Sequence, residues 1–200
     1  MFELPDDISI FSVARQKPVK AKLVKLDRNL AKTKVDGTWW KIPVSKKLRD
    51  AEEDHHWGWR KLIGQHRNNA NWESLAVQRT SGPIEGAMLY RIDAKSQLAK
   101  GKGAVYVDRI ATAPQNRPWL VDPPKYKGIG SVLLLGAVRH SYLLGLGGRV
   151  WLTSLPSEQT REFYRNRGFD SIFEDSDGMI DFELPETEAV RWLKQEGYLS

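Results

Sequence analysis

The 200-residue sequence contains no cysteine. That excludes a disulfide framework, a cysteine nucleophile and every thiolate-ligated metal or iron–sulfur site. Histidine is scarce, with only His55, His56, His66 and His140, and no metal site is expected. Long hydrophobic runs are missing too: none approaches the ~20 apolar residues that span a bilayer. The opening stretch, MFELPDDISIF, is acidic where a secretory signal would be basic. The expectation is a cytoplasmic protein with no membrane association.

What is present suits a globular chain. Hydrophobic residues make up 40% and charged residues 28%, enough apolar surface for a core in a domain of ordinary size. The net charge of +6 is unevenly spread. Arg15 to Arg49 holds 12 basic and 2 acidic residues, whereas Glu158 to Ser200 holds 11 acidic and 5 basic. The basic stretch is either a lysine-rich solvated face or a surface for an anionic partner such as RNA. Eight tryptophans are many for this length. Trp39-Trp40 and Trp57/Trp59 bracket an expected helix, where core packing or a ligand wall would use them.

Residues 1–15 carry no clear pattern. Lys17 to Lys34 reads as a half-exposed strand or hairpin, with Ala21, Leu23 and Leu26 between lysines, and Asp36-Gly37 as a turn. A helix is expected after Pro43, capped by Ser45, with Leu48, Ala51, His55, Trp59, Leu62 and Ile63 on one face. His55 then reads as a satisfied core histidine. Strands are expected at Trp72 to Thr80, at Ala87 to Ile92 and, most clearly, at Ala104 to Thr112, with a turn at Ser81-Gly82-Pro83 and a polar linker at Lys95 to Gly103. In the last of these strands Tyr106, Asp108, Ile110 and Thr112 share one face. An irregular proline-rich stretch follows, then a helix after Gly130. A buried strand at Val150 to Leu155, a helix capped by Ser157, a strand at Ile180 to Leu184 and a helix at Glu186 to Gln195 complete the pattern.

The informative unit is a strand, a glycine loop and a helix. The loop is Lys125-Tyr126-Lys127-Gly128-Ile129-Gly130, followed by Ser131. Its glycines permit a tight turn and close approach of a ligand, and the helix start offers N–H groups to an anion. Alone, a G-x-G serves equally as a structural turn. It is not a P-loop, and the third glycine of a dinucleotide fingerprint is Leu133 here.

Three segments in order make the resemblance specific: Thr112-Ala113-Pro114, the glycine loop, and Phe163-Tyr164-Arg165-Asn166-Arg167-Gly168-Phe169. Over about Asn71 to Leu184 the chain resembles the GCN5-related N-acetyltransferase (GNAT) superfamily, whose core runs from V-x-P through [QR]-x-x-G-x-[GA] to a tyrosine before G-F. The resemblance implies a single-domain α/β fold, with a mixed, mostly antiparallel sheet flanked by helices and a splay between its two middle strands. Residues 1–45 would be a basic extension or first hairpin, and 71–184 the acyl-CoA-binding core. It implies acetyl-CoA as cosubstrate and transfer of the acetyl group to an amine. The loop residues Lys125, Tyr126, Lys127, Gly128, Ile129, Gly130 and Ser131 would bind the pyrophosphate. The backbone of Ile110, Ala111 and Thr112 would pair with the pantetheine arm. Ser157 stands where an asparagine often contacts that arm. Tyr164 would donate a proton to the departing thiolate.

Two departures stand out: Lys125 replaces the usual arginine or glutamine, and the stretch between Pro114 and the loop is longer than the family's norm. The chemistry also needs a base for the amine, whose pKa lies near 10. Asp108 is the best carboxylate, as general base, as anchor for the acceptor amine or as a structural ion pair. The acceptor is a small amine or a protein. Aminoacyl-tRNA, reached through the basic 15–49 segment, is an alternative, as is a non-catalytic acyl-CoA sensor. A homodimer stays open.

Overall fold

Alternation in Lys17–Lys25 places Ala21 and Leu23 on one face and Lys20 and Lys22 on the other, the pattern of a strand buried on one side. The computed structural model, which describes residues 8–80 and 82–200, forms this strand, β2 (Lys17–Lys25). Before it lies β1 (Ile8–Ser12), paired antiparallel from Ile8↔Ala21 to Ser12↔Lys17. No strand is expected there from the sequence, because only Ile10 and Ser12 turn inward and two residues make no readable period. Seven further strands are β3 (Trp72–Arg79), β4 (Ile84–Lys95), β5 (Gly103–Thr112), β6 (Tyr126–Lys127), β7 (Val150–Ser154), β8 (Asp170–Glu174) and β9 (Ile180–Leu184). They hydrogen-bond into one mixed sheet in the order β6-β1-β2-β3-β4-β5-β7-β9-β8. The α/β class and the mixed sheet agree with the expectation. Of the expected 81–83 turn, Ser81 lies outside the described residues.

The chain divides into two compact units. Among the described residues, one comprises those from Ile8 to Leu89 together with Arg109–Leu133. Within it, two expectations are corrected. The lysine-rich strand stops at Lys25, and Asp27 accepts from the Leu30 amide at 2.7 Å to start α1 (Arg28–Leu30), which widens into a π-helical turn over Ala31–Asp36. The single helix expected after Pro43 is two short ones, α2 (Lys46–Asp50) and α3 (Trp59–Gln65), separated by turns. Ser45 does cap α2, accepting from the Leu48 amide at 3.3 Å, but Leu48 is exposed. The break follows from Gly58 and from Asp36, whose two carboxylate oxygens accept the Trp59 and Arg60 amides at 2.9 and 3.0 Å and start α3 afresh. Trp39 and Trp59 meet edge to face, ring centroids 6.1 Å apart, in a core with Leu26, Val35, Ile84, Leu89, Ala111 and Ala113. The helical excursion thus packs on the end of β5.

The other unit comprises Tyr90–Asp108 and Leu134–Ser200. Here β5 and β7 run parallel, and β7, β9 and β8 pair antiparallel. The strand β8 has no sequence signature because most of its side chains are exposed. The polar 95–103 connection is held by buried Glu183, which accepts Ser96 Oγ at 2.5 Å and the Gln97 and Leu98 amides at 2.6 and 3.1 Å. The helix α5 (Glu158–Arg165) begins at Ser157, and α6 (Glu186–Gln195) ends the fold.

One glycine positions the helix that follows the loop, α4 (Ile129–Leu143). A Cβ on Gly86 of β4 would lie 2.4 Å from Ile129 Cγ2 and 3.0 Å from Leu133 Cδ1. The first turn of α4 therefore rests directly on the β4 backbone. Gly86→Ala is expected to overpack this contact and cost about 1–3 kcal/mol. Urea unfolding should show a lower midpoint with an unchanged slope; an unchanged midpoint would mean that α4 shifts freely.

Candidate functional site

The loop is held from below by a buried carboxylate. Glu85 on β4 has no exposed surface. Its Oε1 accepts from Arg79 Nε at 3.2 Å, and its Oε2 from Gln115 Nε2 and Asn116 Nδ2, both at 3.0 Å. Its backbone carbonyl accepts the Ala113 amide at 2.8 Å. Gln115 and Asn116 form a short 3-10 turn with Pro114, placed just before the proline-rich stretch. They pass the constraint on: the Lys125 amide donates to Gln115 O at 2.9 Å, and the Tyr126 amide to Asn116 Oδ1 at 3.1 Å. Tyr126 and Lys127 then add to β1 as the edge strand β6.

This narrows the anion site. The amides of Lys125 and Tyr126 are spent inside the fold, and Tyr126 is buried with Arg79 over its ring at 5.2 Å. What remains for a ligand is the start of α4. Gly128 has φ +87°, and a Cβ built there meets no atom within 4 Å. The left-handed turn needs glycine, and the space beside it is open. The amides of Ile129 and Gly130 open α4, ahead of the helical bond from Val132 N to Gly128 O at 3.1 Å. Lys125 and Lys127 are exposed beside this point.

The end of β5 is anchored by Arg117. Its Nε and Nη2 donate to Thr112 O at 3.0 and 2.6 Å, and its guanidinium pairs with Glu52 and Asp54, each at 2.5 Å. Burial weakens the cation, but the two carboxylates outweigh it and leave its pKa raised. Trp119 Nε1 donates to Glu52 Oε1 at 2.7 Å. The long segment after Pro114 is thereby clamped to the turns between α2 and α3. The Thr112 carbonyl, one of the expected arm-pairing groups, is thus engaged by Arg117.

In the other unit, the β5–β7 ladder covers Val105↔Val150 to Val107↔Leu152. It stops there, although β7 continues with β9 to Ser154↔Ile180. Asp108 is the first residue of β5 past the ladder and is half-buried. Ser157 is an N-cap: its hydroxyl accepts the Thr160 amide at 3.2 Å and lies 2.6 Å from Thr160 Oγ1. Tyr164 is buried among Phe163, Phe169 and Phe182, with ring centroids 5.2, 5.6 and 5.6 Å away. Burial raises its pKa well above that of an ordinary phenol, against a smaller opposing pull from Arg167.

Sequence reasoning passed over Glu85, Asn116 and Arg117. A signal existed for the first: a glutamate inside the apolar run IEGAMLY must find partners or break the strand. His55 sits at the turn after α2, its Nδ1 2.8 Å from Glu52 O, with its ring against Trp40 and His56. It is half-buried, on turns where a core helix was expected. Among the described residues no cluster suits a metal ion. No described helix is long and apolar enough to cross a membrane.

No protein-family model matches the sequence, and no curated protein matches it. Solved structures do. Apo FdhC, a nucleotide-linked sugar GNAT, superposes with TM-score 0.58 at 13% identity, over 95% of this chain and 96% of its own. An acetyltransferase from Thermus thermophilus gives 0.56 at 10% identity, over 82% and 95%. A tyrosine-to-phenylalanine variant of the toxin AtaT, bound to the C-terminus of the antitoxin AtaR and to acetyl-CoA, gives 0.53 at 15% identity, over 86% and 98%. This chain has the GNAT fold. At these identities the likeness is one of architecture.

The raised pKa of Tyr164 has a consequence for stability. Below pH ~10 the phenol is neutral in both folded and unfolded chains. Above it the unfolded chain ionises first, so stability falls as pH rises towards the folded value. Tyr164→Phe should lose less stability than the parent between pH 9 and 11, read as urea midpoints across that range. Parallel curves would place the hydroxyl in contact with water.

Proposed function

We propose that this protein is an N-acyltransferase that carries the acetyl group of acetyl-CoA directly to an amine. The observation that carries this reading is the start of α4. An open, left-handed Gly128 and the first helical amides are held in place by the Glu85 network, in a chain with the GNAT fold. Ile129, Gly130 and Ser131 complete the pyrophosphate seat, with Lys127 and the Lys125 side chain adding charge. The pantetheine arm extends along Ile110 and Ala111. The neighbour AtaT with acetyl-CoA bound supports the same cosubstrate.

The reaction requires a neutral amine. Asp108 takes the proton, directly or through water, as nitrogen attacks the thioester carbonyl carbon. A strand N–H near the end of the β5–β7 ladder stabilises the oxyanion. The C–S bond then breaks, and Tyr164 donates to the departing sulfur. No covalent enzyme intermediate is needed.

Binding is tested by calorimetry with CoA and with pantetheine, which lacks the pyrophosphate. CoA should bind at least ~10-fold tighter if the loop grips phosphate through charge-assisted hydrogen bonds. Gly128→Val, strained by about 1–2 kcal/mol at this φ, should lose that preference while its circular dichroism stays near native. Equal affinity for the two ligands would overturn the site.

Chemistry is tested by single-turnover kinetics with an amine acceptor. Tyr164→Phe, which removes one hydrogen-bond donor to the developing sulfur anion, should slow the step by roughly 10²-fold with little change in acetyl-CoA affinity. Asp108→Asn should be most damaging at low pH, where little free amine exists, and the defect should shrink as the amine deprotonates itself. An unchanged rate in the first variant, or a uniform loss across pH in the second, would assign these residues to packing and ion pairing.

A further inference from the structure

The excursion from β2 to β3 carries a second concentration of positive charge, separate from the loop. A cavity of about 530 Å³ opens beside α1 and α3, lined by Arg28, Arg60, Lys61 and Arg67, with one acid, Asp36. All four cations are exposed. Among the described residues none of the four forms an ion pair, although Arg49, Arg79 and Arg117 nearby in sequence or space each do.

Four acids of this region are engaged elsewhere. Asp36 turns both oxygens to the Trp59 and Arg60 amides at 2.9 and 3.0 Å. Glu52 and Asp54 belong to Arg117, and Asp50 to Arg49. Gly64 adds a constructional detail. A Cβ there would lie 3.2 Å from Arg28 Nε, so the missing side chain lets the guanidinium lie against the α3 backbone at the cavity wall. Like charges gathered without counter-ions repel one another, and an anion in their midst relieves that repulsion.

We propose that this cavity is a binding site for a phosphoryl-bearing ligand, held by Arg28, Arg60, Lys61 and Arg67. Three guanidinium forks match phosphate oxygens in bidentate geometry, which an ammonium alone does not. Four cations against one engaged carboxylate call for more than one negative charge. The volume exceeds that of a lone phosphate and suits a phosphate with its sugar, or consecutive phosphates of an RNA strand. Exposed Lys32 and Lys34 follow Arg28 on the same helical turns and extend the positive surface beyond the cavity. The shared chemistry is the phosphoryl group. Its source is either a small phosphorylated molecule or an RNA backbone.

The site is tested on the whole protein with saturating CoA present, so that the α4 loop is occupied. The variant is Arg28→Gln/Arg60→Gln/Lys61→Gln/Arg67→Gln, with Arg60→Gln/Arg67→Gln as a milder second that leaves the Arg28–Gly64 contact intact. Probes are inorganic pyrophosphate by calorimetry and a fluorescent 20-nucleotide RNA by anisotropy across a salt series. The expected result is at least a 10-fold loss of pyrophosphate affinity in both variants. If RNA is the source, its affinity falls too, and the fourfold variant's log–log salt slope shrinks by about 3. Loss for pyrophosphate alone identifies a small phosphorylated ligand. Unchanged binding of both probes overturns the proposal. The affinity for CoA itself, measured in the same proteins, is expected not to change. Should CoA fail to bind at all, the acyltransferase reading falls, while the comparison of variants runs equally well without it.

Discussion

A carboxylate sealed from water organises the loop. Glu85 costs several kcal/mol to bury as an ion, and only paired and hydrogen-bonded burial is tolerable. Its partners are therefore obligatory, and they are spread along the chain: Arg79 on the adjacent strand, and Gln115 and Asn116 beyond β5. Satisfying Glu85 forces the chain after Pro114 to fold back. That return path supplies the acceptors for Lys125 and Tyr126, lays β6 against β1, and delivers Gly128 to its left-handed turn. The glycine loop owes its conformation to this network as much as to its glycines.

A second clamp, Arg117, does for the end of β5 what Glu85 does for the loop. It draws the Thr112 carbonyl, Glu52, Asp54 and the face of Trp40 to one guanidinium. The helical excursion and the proline-rich segment are thereby tied to one another. It also bears on the neighbouring cavity: Glu52 and Asp54 are taken up by Arg117, and the carboxylate of Asp36 turns to two backbone amides, so the side chains of Arg60 and Lys61 have no ion-pair partner there among the described residues.

The parts of the fold that were legible in the sequence had a period or a cap. The alternation of β5, the long apolar run of α4, Ser157 ahead of α5 and the amphipathic α6 are all local signals. The helix expected after Pro43 failed because its apolar spacing ran through Gly58 and a turn that only Asp36, more than twenty residues upstream, completes. The strand β8 failed because an exposed edge strand has no buried face to mark it. In the site, glycines and tyrosine were visible as a pattern in order. Arg117 left no such mark and Glu85 only its odd place in an apolar run, since most of their side-chain partners lie 30 to 65 residues away in sequence.

Tyr164 lies in an aromatic cage, and that has a thermodynamic implication for how a thiol would leave. An ordinary phenol is already a weaker acid than a cysteine-like thiol by about 1.5 pKa units, or ~2 kcal/mol. Burial widens that gap further. Moving the proton completely from oxygen to sulfur is therefore uphill, whereas sharing it is not. In the proposed reaction Tyr164 then acts as a hydrogen-bond donor that lowers the energy of a sulfur anion, and it keeps its proton from one turnover to the next. Such a donor needs no recharging path, and CoA departs as the thiolate, to be protonated in solvent.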